Sequence, residues 1–512
     1  GLLSLREAID LANADADADS ITFDPTRFAP ERDALIRLTL GELEITGDLV
    51  VDGDGSAAAP TAVTITGDAL GDDVLVAGTA ITDVAASGAA RLADNSRLFN
   101  ATVSDAALTL EGLTLTGGRT IGSEEQGGAV RALGDLTLLA STVSGNSTTG
   151  FLARGGGVYG ANDVTLTNST VSGNSTAGLG ARGGGVIGFL GLTLINSTVS
   201  GNSTAGENSD GGGVIGGDVT LIDSTVSGNS TAGYDARGGG VFGRLGLTLT
   251  NSTVSGNSTA GDNAPGGGVF GLLNVTLTNS TVSGNSTAGV SADGGGINGS
   301  FEVTLTNSTV SGNRTTGEYS DGGGVYGFTG VTLTDSTVSG NSTTGDRAPG
   351  GGVWSLSDVT LTDSTVSGNS TAGEFAGGGG VYGRNDVTLS NSTVSDNSTA
   401  GRSSKGGGIR GGAFGPGGDV TLTNSTVSGN STAGYFAEGG GVFGRNDVTL
   451  TNSTVSRNST AGRFAAGGGV FGRDDVTLTD STVSGNRTAG DGAGGGGIRG
   501  GAFGPGGDVT LT

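Results

Sequence analysis

The chain has 512 residues with 49 acidic and 24 basic side chains, a net charge of −25, 107 glycines, one tryptophan and no cysteine, histidine or methionine. This composition excludes disulfides, thiolate or imidazole metal sites, and the thick core of an ordinary multidomain globule. The acidic balance and the lack of any apolar run of membrane-spanning length argue against nucleic acid, anionic membranes and a transmembrane helix.

At the N-terminus, Ser4-Leu5-Arg6-Glu7 reads as a capping box opening a short helix with Leu5, Ala8, Ile9 and Ala12 on one face. Such a helix is expected to cover the open edge of a first coil. Strand-like pieces follow at Ile21–Phe23, Leu35–Leu40, Glu42–Ile45, Leu49–Val51, Val63–Ile65 and Leu108–Leu115. Residues 1–120 carry 20 acidic and 7 basic side chains, so −13 of the charge lies there and −12 over residues 121–512. The expected organisation is a cap and irregular first coils over 1–120, then a regular array over 121–512.

That array is defined by Ser-Thr-Val-Ser-x-Asn, which occurs in thirteen copies from Ser141 to Ser481, at steps of 28 residues except one of 27 and one of 33. One unit, Gly155 to Asn174, alternates Val164, Leu166 and Val171 with Thr165, Thr167, Thr170 and Ser172, the period of strands. Its segments Gly-Gly-Val-Tyr, Val-Thr-Leu-Thr and Thr-Val-Ser are too short to pair within one unit, so each must pair with its copy in the next. The expected fold is therefore an all-β, right-handed, single-stranded parallel β-helix (a β-solenoid) of about 28 residues per coil with three strands each. At ~4.8 Å between strands, about fourteen coils would rise roughly 65–70 Å.

Its interior would hold columns of like residues, Val158, Val186, Val214, Val241, Val269, Ile297 and Val325 in one and Leu166, Leu194, Leu221, Leu249 and Leu277 in another. Asn146, Asn174, Asn202, Asn229, Asn257, Asn285, Asn313, Asn341, Asn369, Asn397, Asn430, Asn458 and Asn486 would form an inward ladder, each amide serving its own turn and its neighbour. A second column mixes Asn and Asp (Asn168, Asn196, Asp223, Asn251, Asn279, Asn307, Asp335, Asp363) and is expected to be less enclosed. Many of these Asn stand in Asn-Ser-Thr acceptors for glycans, and inward placement would bar them from that role.

Leu3-Ser4-Leu5-Arg6-Glu7-Ala8-Ile9 resembles the Cys-Ser-Leu-Arg-Glu-Ala motif that opens many bacterial secreted β-helix proteins, with Leu3 in place of the Cys. Gly41–Gly55 and Leu108–Gly118 are similar to that family's first coils. The repeats resemble those of the chlamydial polymorphic membrane protein adhesins: Gly127-Gly128-Ala129-Val130 fits their Gly-Gly-Ala-aliphatic element, while Val stands for their Phe before the Asn. The resemblance implies a secreted or cell-surface bacterial protein. Ending at Thr512 in mid-coil without that family's usual anchor, the chain is expected to be part of a longer one.

Enzymatic β-helices need a unique cluster of carboxylates with a basic group. Here the acids recur coil by coil and the only lysine is Lys405, so no catalytic residue is expected. Asp15, Asp17 and Asp19, and Asp52 and Asp54, offer carboxylates to Ca2+, against the plainer reading of solvated bends; no other cofactor is expected. Outward Thr165 and Thr167, and their copies Thr248 and Thr250, Thr276 and Thr278, Thr304 and Thr306, resemble ice-binding solenoids, although Thr also simply suits exposed strands. The variable loops before each glycine triplet place Tyr234, Tyr319, Phe375, Tyr435, Phe436 and Phe464 either as contact residues or as clusters packed under the loops.

The expected function is a non-enzymatic extracellular β-solenoid, an adhesin stalk or passenger or a subunit of a surface fibre. Its partners would be copies of itself, a host or cell surface, or a glycan. A carbohydrate-active enzyme and an ice-binding solenoid are the alternatives.

Overall fold

The computed structural model describes residues 3–15, 17–24, 28, 34–53, 63–68, 73–74, 82–83, 96–412, 417–501 and 508–512. They belong to two compact units, Gly1–Leu247 and Thr248–Thr512. Each is a parallel β-solenoid with about 28 residues per coil, as the repeat implies.

A coil of the second unit illustrates the plan. Its strands are Val325–Gly327, Gly330–Thr334, Thr337–Ser339 and Ser342–Thr343. They lie in register on the next coil, with Val325 opposite Val353, Leu333 opposite Leu361, Val338 opposite Val366 and Thr343 opposite Thr371. Val325, Leu333 and Val338 point inward and expose none of their surface. Each residue thus stacks on its own kind, which keeps a thin core close-packed without bulky side chains.

The structure corrects the three-strand expectation. The first two strands of a coil share one sheet, and the third wall is a strand the sequence pattern hides, Ser342–Thr343. Its inward residue is a threonine, so no hydrophobic alternation marks it. Thr343 is fully buried, and its hydroxyl donates to the Ala348 carbonyl at 2.6 Å.

Two polar ladders hold the turns. Asn341 donates through Nδ2 to the Val310 carbonyl (3.0 Å) and to Asn369 Oδ1 (2.9 Å). Its Oδ1 accepts from the Asn313 main-chain N–H and from Asn313 Nδ2, both at 2.9 Å. The same pattern links Asn146, Asn174, Asn202 and Asn229 in the first unit, and Asn257 through Asn486 in the second. The second ladder is serine: Ser336 Oγ donates to the Thr334 carbonyl (2.7 Å) and accepts from the Ser308 N–H (3.1 Å).

The Asn/Asp column is exposed, as expected, and its chemistry is conformational. Asn168, Asn279, Asp335 and Asp363 all have φ between 50° and 52°, a left-handed conformation that Asn and Asp tolerate best among residues with a Cβ. The Asn-Ser-Thr acceptors therefore divide. Those on the ladder are buried, whereas Asn168, Asn279 and Asn307 face solvent.

The N-terminal helix, Leu5–Ala12, has the expected capping box and buries Ile9, with Leu5, Ala8 and Ala12 half-buried beside it. Arg6 donates to the Gly41 and Glu42 carbonyls, and Asn13 pairs with the Glu44 carbonyl and the Thr46 N–H. The helix thus covers polar edge groups beside the strand Leu43–Ile45. The 28-residue register begins earlier than the repeat string, with Leu108 opposite Leu136 and Leu115 opposite Val143. That coil has Leu113 and Gly118 where later ones have Ser and Asn, which hides it from the sequence pattern.

Candidate ligand-binding groove

In the coils of the repeat array a glycine triplet precedes a short strand of the form Val-x-Gly, with Ile for Val at Ile297 and Ile409 and Ser for Gly at Ser355. Val points inward, so x points outward, yet x is mostly buried: Tyr159, Phe242, Phe270, Trp354, Tyr382, Phe443 and Phe471 expose at most 5% of their surface. The glycines explain this. A Cβ on Gly350 would sit 2.5 Å from Trp354 Cβ, and one on Gly378 2.6 Å from Tyr382 Cβ. Main chain without side chains runs back over the x column and leaves it in the floor of a groove. The residue before each triplet forms one wall, and residues just after Val-x-Gly form the other.

In the second unit this groove opens into a cavity of about 790 Å³. Trp354 and Tyr382 lie at its floor, with Tyr326 stacked on Trp354 at 4.5 Å between ring centroids and Tyr382 edge-on to it at 6.3 Å. Among the described residues Arg347, Arg384, Lys405, Arg410, Arg445 and Arg473 line it, against the single acid Asp321. In a chain where acids outnumber bases two to one, the local sign is reversed. Arg410 lies over the Tyr382 ring at 4.5 Å, while Lys405 lies over Phe443 at 4.8 Å and bridges to Glu438 at 2.6 Å.

Three polar atoms of the lining are buried without a hydrogen-bond partner: Trp354 Nε1, Arg410 Nε and Asp321 Oδ1. Beside them Asp293 Oδ1 accepts from the Asp321 N–H at 2.8 Å. Burial pushes the Asp293 carboxyl up to about 7. Burial, then the neighbouring Asp293 charge, raises Asp321 well above the carboxylate range, opposed by Arg384 and Arg410. Burial also raises Tyr326, helped by both carboxylates. The two acids compete for protons as a pair.

In the equivalent groove of the first unit an acid is paired internally. Arg182 bridges to Asp210 at 3.4 Å, and Asp210 also accepts from the Arg237 N–H at 3.1 Å. Burial raises the Asp210 carboxyl despite Arg182.

The aromatic residues expected in the variable loops all keep 37% to 51% of their surface exposed. Tyr435, Phe436 and Phe464 come together, with centroids 4.4 to 5.7 Å apart. Tyr319 and Phe375 lie at the cavity rim with Arg347 over both rings, at 5.3 and 5.7 Å. Tyr234 lies in the first unit. Sequence reasoning missed Trp354, Tyr382 and Arg410, because position x varies in type from coil to coil, and with them Arg384 in the adjoining wall. The signal present was the only tryptophan and the only lysine, two repeats apart.

Among the described residues no group of three His, Cys, Asp or Glu is placed to hold a metal ion. Asp15 and Asp17 are exposed in a bend where Asp15 accepts from the Asp17 N–H, and Asp19 opens a strand. Asp54 lies outside the described residues. No helix among them is long and apolar enough to cross a membrane.

The profile of the family described as right handed beta helix region matches residues 129–298, 185–348 and 294–482, more than half of the chain. The chain belongs to that family. No curated protein and no solved structure matches this β-helix.

Proposed function

We propose that this β-helix is a non-enzymatic extracellular display scaffold, an adhesin stalk or passenger. What supports the reading is where the sequence varies. Inward columns repeat the same Val, Leu, Ser and Asn, while the outward x position and the loop before each glycine triplet change from coil to coil. Variable groups on a rigid repeat are the usual form of a binding surface. The test is retention of the purified full chain on immobilised polysaccharides and extracellular-matrix proteins, with product analysis alongside. Retention without turnover supports display; saccharide cleavage refutes the non-enzymatic reading.

A second reading rests on the paired Thr ranks, which run from Thr248 and Thr250 to Thr477 and Thr479 with only Ser390 departing. A regular array of hydroxyls and methyls is the surface an ice-binding protein presents. Thermal hysteresis would support it, and unaltered ice growth would remove it.

A further inference from the structure

We infer that the cavity around Trp354 binds an acidic oligosaccharide, one whose sugar rings carry carboxylate or sulfate groups. The inference rests on the display reading only in taking this groove as a contact site. Three observations converge. Among the described residues six cationic side chains line the cavity against one acid, and with Lys405 paired to Glu438 the remaining five still favour an anionic ligand. Tyr319 and Phe375 hold half-exposed rings at the rim above the Trp354 and Tyr382 floor, and the ring surface that Arg347 leaves uncovered is offered to a sugar ring.

The third observation is the mixture of unmet groups. Trp354 Nε1 and Arg410 Nε are donors without acceptors, whereas Asp321 Oδ1 is an acceptor without a donor. A phosphate or a simple carboxylate answers only the donors. A sugar hydroxyl both donates and accepts, so a polyhydroxylated anion answers all three. The volume, about 790 Å³, lies within the range of small-ligand sites. A long polyanion is disfavoured by the net charge of −25, which repels it everywhere outside the groove.

Trp354 is the only tryptophan, so its fluorescence reports this site alone. The full chain is titrated with short uronic acid oligomers, a sulfated oligosaccharide, a neutral glucan oligomer and an oligothymidylate, with calorimetry in parallel. Saturable quenching by an acidic oligosaccharide, weakened by salt and absent with the neutral glucan, is expected. Arg347→Gln together with Arg384→Gln changes two exposed cations outside the core and should weaken binding about tenfold or more. Tyr234→Ala, in the other unit, should leave it unchanged. No saturable response to any acidic sugar, an equal response to the neutral glucan, or binding of oligothymidylate alone overturns the inference. Binding accompanied by cleavage upholds the site and instead removes the non-enzymatic reading.

Discussion

Replacing Asn341 by alanine tests the ladder directly. The substitution takes the Val310 carbonyl's Nδ2 donor, one of two donors from Asn369 Oδ1, and the acceptor shared by the Asn313 N–H and Nδ2. The Asn313 main-chain N–H loses that partner inside a fully buried column. Each buried polar group left unmet costs about 1–3 kcal/mol, so three such groups amount to about 3–9 kcal/mol. That is a large share of the ~5–15 kcal/mol of a typical domain. Repeat arrays open locally, so the readout is amide hydrogen exchange by coil, alongside urea denaturation. Protection should fall most in the coils containing Asn313, Asn341 and Asn369. Asn341→Asp should be at least as damaging, because it sets a new acceptor against the Val310 carbonyl and Asn369 Oδ1. Asn307→Asp, in the exposed turn where other coils already use Asp, should stay within about 0.5 kcal/mol. A loss below about 1 kcal/mol for Asn341→Ala would refute the ladder as the device that holds the turns.

The glycines divide in the same way. Gly324→Ala would place a Cβ 2.6 Å from the Gly352 carbonyl and 2.9 Å from the Asn341 amide, costing about 1–3 kcal/mol in thermal or urea melts. Gly340→Asp should cost less than about 1 kcal/mol, since Asp396 and Arg457 already occupy that turn position at φ 56° and 57°. Acidification should stabilise the second unit. Asp293 and Asp321, facing Tyr326, Arg384 and Arg410, both bind protons more tightly folded than unfolded. The Asp293 contribution is complete below the ordinary carboxyl range and is lost as pH rises through about 7, and that of Asp321 runs in the same direction. Asp293→Asn should flatten that dependence and add on the order of 2 kcal/mol at pH 8; a pH profile identical to the parent's would contradict it. In the first unit, Arg97 is buried and joins Glu42 (2.8 Å), Glu125 and the Gly127 carbonyl (3.1 Å). Arg97→Ala should cost about 2–3 kcal/mol by denaturation, moderated because both carboxylates are more than a third exposed.

The coil and its principal ladder could be read in the sequence because their residues repeat identically and face inward, where one solution fits each site. Ser336 and Thr343 could not. Hydroxyl residues read as solvent-facing, and only the carbonyls of Thr334 and Ala348 beside them make burial acceptable. The groove was hidden for the opposite reason. Alternation places Trp354 outward beside inward Val353, and nothing in that period says the glycine-only chain of Gly350 folds back across it. Of the aromatic residues singled out from the loops, Tyr319 and Phe375 mark the rim, while the floor went unnoticed.

The 33-residue coil carries a different implication. Its extra residues leave the ladder joined, with Asn397 bonded to Asn430 at 3.0 Å, and Asp386 Oδ1 accepts from the Gly418 and Asp419 N–H groups where the insertion rejoins. The same glycine-rich string recurs 89 residues later, a whole number of coils away. Unequal crossing-over between such near-identical stretches of gene adds or deletes complete coils, and every new junction is chemically the same as the old ones. Length can therefore drift between lineages without being purged as misfolding, while a frameshifted half-coil would be eliminated at once.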